Sequence, residues 1–205
     1  YHGVRVSDDG RRLYVANISD GRVYQLNRDG SHQVLLDSLE GQALGAVNFA
    51  YFDNRDRLWV TVSTRLDPRR QAIANPTPDV YVLLRDDRGL LQVAGGFYFT
   101  NEAWIDPAER HLYVAETALG RVTRIRLDGD GLPVDDPGAR QLFGPAPLFD
   151  GARVDGITFD AEGNLWVTEI TRNAIVVIDP DGRAKTVFED PQGSVIDFPT
   201  SITFA

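Results

Sequence analysis

Three polar side chains stand at the same register of the sequence and could together bind a metal ion. Asn48, Asn101 and Asp155 each lie four residues before the apolar residue that precedes an acidic turn. Two amide oxygens and one carboxylate suit a hard cation that keeps some of its water. Ca²⁺ is therefore the expected ion, with Mg²⁺ and Zn²⁺ as alternatives.

The same three residues have a simpler explanation as strand caps. Asn and Asp are common near turns, where their side chains bond to nearby backbone groups. The histidines give no independent support for a metal, because positions 2, 32 and 111 show neither an H-x-H nor an H-x-x-x-H pairing. The metal hypothesis depends on the three residues recurring at equivalent positions of a repeat.

An internal repeat must position these side chains. Four segments share a hairpin pattern in which an acidic turn precedes the dipeptide Leu-Tyr or Leu-Trp. The dipeptides begin at Leu13, Leu58, Leu112 and Leu165, so their spacings are 45, 54 and 53 residues. Each unit reads as three strands followed by a weaker fourth. Four strands at this period indicate the blade of a β-propeller.

The chain is therefore predicted to be all-β, a β-propeller of four-stranded antiparallel blades. Residues 1–205 would form a single propeller domain, with about four blades and the start of another at Ser201. A closed ring of six blades at roughly 45 residues each needs more chain, so we expect further blade sequence before Tyr1 and after Ala205. Equivalent positions of successive blades surround one channel, which predicts that the three candidate ligands converge at one channel mouth.

Three segments resemble the SMP-30/gluconolactonase/LRE-like family of six-bladed propellers. They are NFAYFDNRDRLWVTVSTR from Asn48, FTNEAWIDPAERHLYVAET from Phe99 and VDGITFDAEGNLWVTEI from Val154. The resemblance implies a metal held by one Glu, two Asn and one Asp. Asn48, Asn101 and Asp155 match the last three of these ligands in order, and the Glu belongs to a blade expected upstream of this sequence.

The resemblance also implies a function, the hydrolysis of a lactone or a similar small ester. The cation would polarise the ester carbonyl, and Asp155 would be the catalytic residue that holds the ion and positions the attacking water. Two departures from the sugar-lactonase pattern predict a more apolar pocket. Phe49 and Ala50 follow Asn48, and Ala46 stands where a substrate-binding Arg is common.

Several other side chains are candidates for contact with the substrate or for support of the site. The substrate candidates are His2, Phe49, Glu102 and Trp104. Glu102 directly follows a candidate ligand, so strand alternation should turn it towards a neighbouring strand. Glu116 and Glu169 end equivalent strands and are expected to accept hydrogen bonds from turn amides.

A Pro-rich insert at residues 66–77 interrupts the second repeat. Long connections of this kind often carry function. We expect a surface loop between two strands, which could cover the mouth of the pocket. The sequence leaves open whether the insert lies at the metal end of the blade or at the opposite end.

Composition excludes several kinds of partner. A formal net charge of −9 and the lack of a basic stripe argue against nucleic acid. The sequence has no apolar run of about 18 residues, so no membrane span is predicted, and it contains no Cys for disulfides or thiol chemistry. The expected partner is a small-molecule lactone or ester. Bacterial cytoplasm and periplasm both stay open as the compartment, and the oligomeric state is not predicted.

Two other functions fit the same architecture. A strictosidine synthase-like propeller shares the fold and hairpins such as DGRRLYVAN, but it does not need the Asn, Asn and Asp set. A non-catalytic propeller could bind a ligand and hold the ion for stability alone. Fold does not decide among these functions, whereas turnover of a panel of lactones would.

Overall fold

Antiparallel hairpins follow one another along the chain, as the repeat predicts. The computed structural model describes residues 4–6, 10–66, 70–78 and 80–204. It divides into two units, Tyr1–Thr100 and Asn101–Ala205.

The described part of the first unit contains ten strands and one short helix. Its first sheet is followed by a small hairpin, and the second sheet is interrupted by the helix. The elements are β1 (Val4–Val6), β2 (Arg12–Asn17), β3 (Arg22–Asn27), β4 (His32–Leu36), β5 (Ser38–Leu39), β6 (Gln42–Ala43), β7 (Val47–Phe52), β8 (Leu58–Val62), α1 (Arg70–Ala74), β9 (Val80–Asp86) and β10 (Gly89–Phe97).

The second unit contains eight strands in its described residues, the first of which begins at Thr100, and two single-turn 3₁₀ helices. The 3₁₀ helices are Thr117–Leu119 and Pro137–Ala139. The strands are β11 (Thr100–Ile105), β12 (His111–Glu116), β13 (Arg121–Arg126), β14 (Arg140–Leu142), β15 (Val154–Phe159), β16 (Leu165–Glu169), β17 (Ala174–Ile178) and β18 (Ala184–Glu189).

Each large sheet uses four strands that are consecutive in the chain. Their orders are β1-β2-β3-β4, β10-β9-β8-β7, β11-β12-β13-β14 and β15-β16-β17-β18. Four consecutive antiparallel strands are the blade of a β-propeller, so the fold class predicted from the repeat is confirmed. No helix in the described ranges is long and apolar enough to cross a membrane.

Buried β-branched and aliphatic side chains form a core in each unit, drawn from both of its sheets. Burying one such side chain contributes about 1.5–3 kcal/mol, so these clusters fix the strands that carry the polar site residues. The first core includes Val23, Val47, Val60, Val62 and Leu83, and the second includes Ala115, Val122, Ile157, Val167 and Ile178.

Two of the hairpins are closed by the same aspartate–tryptophan contact. Asp160 Oδ1 accepts hydrogen bonds from turn amides, while its Oδ2 accepts one from Trp166 Nε1 at 2.8 Å. Asp53 and Trp59 repeat the arrangement, also at 2.8 Å. Gly163 has a φ of 82° in the Asp160 turn, a left-handed conformation that glycine adopts without strain. The acidic turn and the following Trp therefore form one hydrogen-bonded unit.

The third hairpin keeps the aspartate and changes its partner. Asp106 Oδ1 accepts from the amides of Arg110 and His111, at 2.7 and 3.2 Å. Its Oδ2 lies 3.4 Å from His111 Nδ1, and Tyr113 stands where the other two hairpins have Trp. His111 is thus a structural residue that closes this turn.

Removing the turn aspartate tests how much this hydrogen-bonded unit stabilises a blade. Asp160→Ala should lower the free energy of unfolding by about 1–3 kcal/mol, because the Trp166 indole and the turn amides lose their acceptor. Urea denaturation measures the change. Glu162→Ala, at an exposed position of the same turn, is the control and should stay within about 0.5 kcal/mol of wild type. Equal effects of the two substitutions would show that the turn carries no special stabilisation.

Candidate functional site

Asn48 occupies a β-bulge at the start of β7. Val47 pairs with Val62 and Phe49 pairs with Thr61, so Asn48 is the extra residue in its strand. The hydroxyl of Thr61 accepts a hydrogen bond from the Phe49 amide at 3.1 Å. Bulges turn a side chain away from the regular ladder and are common beside active sites. The bulge therefore singles out Asn48 within an otherwise apolar strand.

The amide group of Asn48 is held in one orientation. Asn48 is 5% exposed, and its Nδ2 donates to Ser63 Oγ at 2.9 Å. Ser63 in turn donates to the carbonyl oxygen of Thr100 at 2.5 Å. Fixing Nδ2 places Oδ1 on the other side of the planar amide, which is the orientation that a cation ligand needs.

Asn101 is held in the same way in the second unit. It is 5% exposed, and its Nδ2 donates to Thr117 Oγ1 at 3.1 Å. Thr117 is the equivalent of Ser63, because each is the first residue after the second strand of its sheet. Both asparagines thus use a hydroxyl neighbour to fix the nitrogen of the amide.

Asp155 lies in a second β-bulge, at the start of β15. Val154 pairs with Glu169 and Ile157 pairs with Val167, so Asp155 and Gly156 together face the single residue Thr168. Thr168 Oγ1 accepts from the Gly156 amide at 2.7 Å. This is the arrangement of Asn48, Phe49 and Thr61 repeated in another sheet. The two candidate ligands share one local backbone structure.

The carboxyl group of Asp155 is difficult to ionise. Burial, and then repulsion from the Glu102 carboxylate, raise the pKa of Asp155 to about 8. None of the described residues donates a hydrogen bond that would offset this shift. Asp155 is half-buried, and a carboxylate removed from water keeps its charge more readily with a partner, which a cation would supply.

Glu102 joins three segments of the second unit. It is 5% exposed, its Oε2 accepts from the Ile157 amide at 3.1 Å, and its Oε1 accepts from Ser201 Oγ at 2.9 Å. The chain around Ser201 packs against the bulge, since a Cβ on Gly156 would come within 2.6 Å of Ser201 Cα. Glu102 therefore faces the neighbouring strand, as strand alternation predicts.

The remaining substrate candidates have different surroundings. Phe49 is 3% exposed, with its ring 5.9 Å from that of Tyr51. Trp104 is half-buried and packs against the core of the second unit. His2 lies outside the described residues. Their role in substrate binding stays a prediction.

The two glutamates that end equivalent strands have different partners. Glu169 is fully buried and accepts from the amides of Arg153, Thr171 and Arg172 at 2.8, 3.0 and 3.0 Å. This confirms the predicted contact with turn amides. Glu116 is also held by side chains, accepting from Arg121 Nε at 3.0 Å and from the Thr123 hydroxyl. A carboxylate at this position braces the end of the hairpin in both cases.

The insert at residues 66–77 emerges at the Asn48 end of its blade. It follows β8, whose last residue Val62 pairs with Val47 directly beside Asn48. The insert was expected to be a loop, but it contains the helix α1 (Arg70–Ala74). A groove of about 370 Å³ at this end has Arg65 and Ala46 among its lining residues.

The donor set fits a hard cation. Within the described ranges, no group of three or more His, Cys, Asp and Glu residues could hold a metal. Asn48 and Asn101 each have their amide nitrogen fixed by a hydroxyl group. Asp155 supplies a negative charge that lacks a described hydrogen-bond donor. Neutral oxygens with one anionic ligand are typical of calcium sites.

The bulges and their threonines are the part of the site that periodicity alone did not predict. A signal was present, because Thr61 and Thr168 occupy the same place in LWVTV and LWVTE, each 13 residues after a candidate ligand. The corresponding segment of the third repeat, LYVAE, has Ala115 there. A Thr on the second strand thus accompanies the bulge at both Asn48 and Asp155.

The hydroxyl of Thr168 should hold the bulge that presents Asp155. Thr168→Val keeps the shape of the side chain but leaves the Gly156 amide without its acceptor. The substitution should lower the free energy of unfolding by about 1–2 kcal/mol and speed hydrogen exchange at the Gly156 amide. Thr168→Ser should restore both values. If Thr168→Val exchanges at the wild-type rate, the hydroxyl does not hold the bulge.

The raised pKa of Asp155 should make the free energy of unfolding of the metal-free protein depend on pH. The pKa of Asp155 in the folded state, about 8, exceeds the roughly 3.9 of an unfolded chain. Stability is therefore lost as pH rises between these values, and the cost is complete above the folded pKa. Asp155→Asn should raise the free energy of unfolding by about 1–3 kcal/mol at pH near 9 and change it little at pH near 4.

Urea denaturation in the presence of a chelator measures this effect. Glu162→Gln removes an exposed carboxylate from the same sheet and is the control, with an expected change within about 0.5 kcal/mol at either pH. A gain for Asp155→Asn that is the same at both pH values would contradict the electrostatic cause.

Known proteins similar to this chain include several hydrolases. It is 24% identical over 202 residues to diisopropyl-fluorophosphatase from Loligo vulgaris, a match that covers 92% of this chain and 62% of that protein. It is 24% identical over 185 residues to lactonase drp35 from Staphylococcus aureus, covering 87% of this chain and 53% of the lactonase. The chain thus spans between half and two thirds of the length of these relatives.

Solved structures share its fold. A gluconolactonase from Xanthomonas campestris superposes with a TM-score of 0.76 at 20% identity, over 98% of this chain and 64% of that protein. A calcium-binding regucalcin from Agrobacterium tumefaciens superposes with a TM-score of 0.58 at 15% identity, over 98% and 76%. The model of the SMP-30/gluconolactonase/LRE-like region matches residues 2–205. The chain belongs to the SMP-30/gluconolactonase/LRE-like family.

Proposed function

We propose that this protein hydrolyses small lactones or related esters with the help of a divalent cation, Ca²⁺ in preference to Mg²⁺ or Zn²⁺. Asn48, Asn101 and Asp155 would hold the ion. The observation that carries the proposal is that Asp155 lies in a bulge and has a carboxyl group that is difficult to ionise. Burial and the charge of Glu102 raise its pKa to about 8. A carboxylate in this state is stabilised when a cation binds beside it.

The contacts of Asn48 reach the residue that precedes Asn101 in the sequence. Its amide nitrogen is tied through Ser63 to the carbonyl oxygen of Thr100, and Thr100 is the residue directly before Asn101. Thr100 Oγ1 also donates to the carbonyl oxygen of Val62 at 2.7 Å. Thr100, the last residue of the first unit, is thereby held beside the end of β8.

The cation would supply Lewis-acid chemistry, polarising the ester carbonyl so that water can attack it. The residues of the chain have separate tasks. Asp155 holds and orients the attacking water, and its usefulness as a base is reduced once its charge is shared with a cation. Asn48 and Asn101 keep the site rigid because their amide nitrogens are already bonded. A lactone suits such a site because ring opening breaks the acyl C–O bond, and the ring oxygen leaves as a hydroxyl group of the same product molecule once it is protonated.

The comparisons support this class of reaction. One relative is named a lactonase and another a diisopropyl-fluorophosphatase, and one structural neighbour is described as a gluconolactonase. The regucalcin neighbour is described as calcium-binding. Both lactones and fluorophosphates present an electrophilic centre with a polarised oxygen, so a phosphoester or fluorophosphate is the second substrate class to test.

The residues around Asn48 favour apolar substrates over sugars. Phe49 follows the candidate ligand, and Ala46 stands where the family resemblance implies a substrate-binding Arg, while the groove that Ala46 lines also contains Ser19, Asp20 and Thr64. We therefore expect aliphatic or aromatic lactones to be better substrates than gluconolactone. Arg65 lies in the same groove, but its guanidinium already donates to Tyr81 Oη at 2.7 Å.

Hydrolysis by wild type and ligand variants tests the proposal. The full-length protein should hydrolyse at least one aliphatic or aromatic lactone in the presence of Ca²⁺ and lose this activity with a chelator. Asp155→Asn should reduce kcat/KM by roughly 10²-fold or more, the scale on which a positioned catalytic group acts. Asn48→Ala and Asn101→Ala should also reduce turnover. A pH-stat assay of acid release gives the rates.

Glu169→Gln is the matched control, because it removes a buried carboxylate whose oxygens bond turn amides. Its kcat/KM should stay within a few fold of wild type once a folded sample is confirmed. Loss of stability on chelation, without turnover of any lactone or phosphoester, would instead identify a binding protein with a structural ion. Chelator-resistant turnover would contradict the role of the cation.

A further inference from the structure

Glu102 is a buried carboxylate that is not one of the three candidate metal ligands of this chain. It follows the candidate ligand Asn101, and it is 5% exposed. Its two oxygens accept hydrogen bonds from two different segments, the Ile157 amide at 3.1 Å and Ser201 Oγ at 2.9 Å. Ile157 comes two residues after Asp155, at the point where the bulge in β15 returns to regular pairing.

We propose that Glu102 is a positioning residue for the metal site, which fixes the bulge that carries Asp155 and adds a second negative charge beside it. The inference rests on the cation site of the proposed function. The contact with the Ile157 amide fixes one end of the bulge, and Thr168 fixes the Gly156 amide inside it at 2.7 Å. The backbone that directly follows Asp155 is therefore held by two groups outside its own strand.

The contact with Ser201 extends this arrangement to a third segment. Thr200 and Ser201 lie against Gly156, where an added Cβ would approach Thr200 O within 3.0 Å and Ser201 Cα within 2.6 Å. The close approach requires glycine at this position. Glu102 thus ties β11, β15 and the segment at Ser201 together around one bulge.

The charge of Glu102 has its own consequence for the site. Its Oε2 lies 3.1 Å from the amide nitrogen of Ile157, two residues after Asp155, which places its negative charge in the same region as the bulge. Two carboxylates in one buried region repel each other unless a cation lies between or beside them. Calcium affinity rises with the number of anionic groups at a site, so Glu102 should strengthen cation binding without having to be a ligand.

Three substitutions separate the two effects. Glu102→Gln removes the charge, but its amide can still accept from the Ile157 nitrogen and donate to the Ser201 hydroxyl. Glu102→Ala removes both the charge and the contacts. Ser201→Ala removes one contact and leaves the charge. Glu169→Gln is the matched control, since it neutralises a buried carboxylate of the same unit that is held by turn amides.

Isothermal titration of the full-length, metal-free proteins with Ca²⁺ gives the affinities, and thermal unfolding in chelator gives the stabilities. We expect Glu102→Gln to weaken Ca²⁺ binding by roughly three- to tenfold with an unchanged or higher Tm. Glu102→Ala should weaken binding further and also lower the Tm. Ser201→Ala should lower the Tm slightly, and Glu169→Gln should leave the affinity within about twofold of wild type.

The outcomes distinguish this inference from the proposed function. Wild-type affinity in both Glu102→Gln and Glu102→Ala would overturn the inference and show that Glu102 is only a structural brace, whatever the protein hydrolyses. Weaker Ca²⁺ binding in these variants would support it even if no lactone is turned over. A wild-type protein that binds no Ca²⁺ would overturn the inference as well.

Discussion

The cost of placing a negative charge at Asp155 is the constraint on which the rest of the site depends. Burial, together with Glu102, raises the pKa of this carboxyl group to about 8, so the folded chain maintains a group that would be more stable elsewhere. Such a group persists only when the surrounding structure determines its position. Here the determinants are the bulge in β15, the Thr168 hydroxyl and the Glu102 carboxylate. A cation at this place would attract both carboxylates and so offset the repulsion between them.

The repeat explains how one backbone device could serve the chain more than once. Asn48 and Asp155 lie in bulges at the start of the first strand of their sheets, and each bulge is held by a Thr from the second strand. Asn101 lacks that Thr and depends on Thr117, as Asn48 depends on Ser63. The aspartate–tryptophan contact at the opposite end of the hairpins fixes the strands independently of the site. The aspartate–tryptophan contacts and the candidate ligands thus lie at different ends of a blade.

Much of the fold could be predicted because the repeat spacing, the acidic turns and the apolar strands all point to the same blade. The register of Asn48, Asn101 and Asp155 was also readable, since it is fixed relative to each turn. The bulges were not, because one extra residue leaves the apolar pattern of the strand almost unchanged. The role of Glu102 could be predicted only in part. Strand alternation predicts the side to which its side chain points, but not its partners Ile157 and Ser201, which are 55 and 99 residues away in the sequence. The short helix in the insert was missed because its five residues give too little periodicity.

The proposed function requires one cation that is bound by a residue from each of three repeats, namely Asn48, Asn101 and Asp155. A crystal structure of the full-length protein grown with Ca²⁺ tests it most directly. We predict one ion with Asn48 Oδ1, Asn101 Oδ1 and an Asp155 carboxylate oxygen all within about 2.3–2.6 Å, and with Glu102 still bonded to the Ile157 amide. An ion bound elsewhere, or three side chains that do not share one ion in a calcium-saturated crystal, would contradict the account.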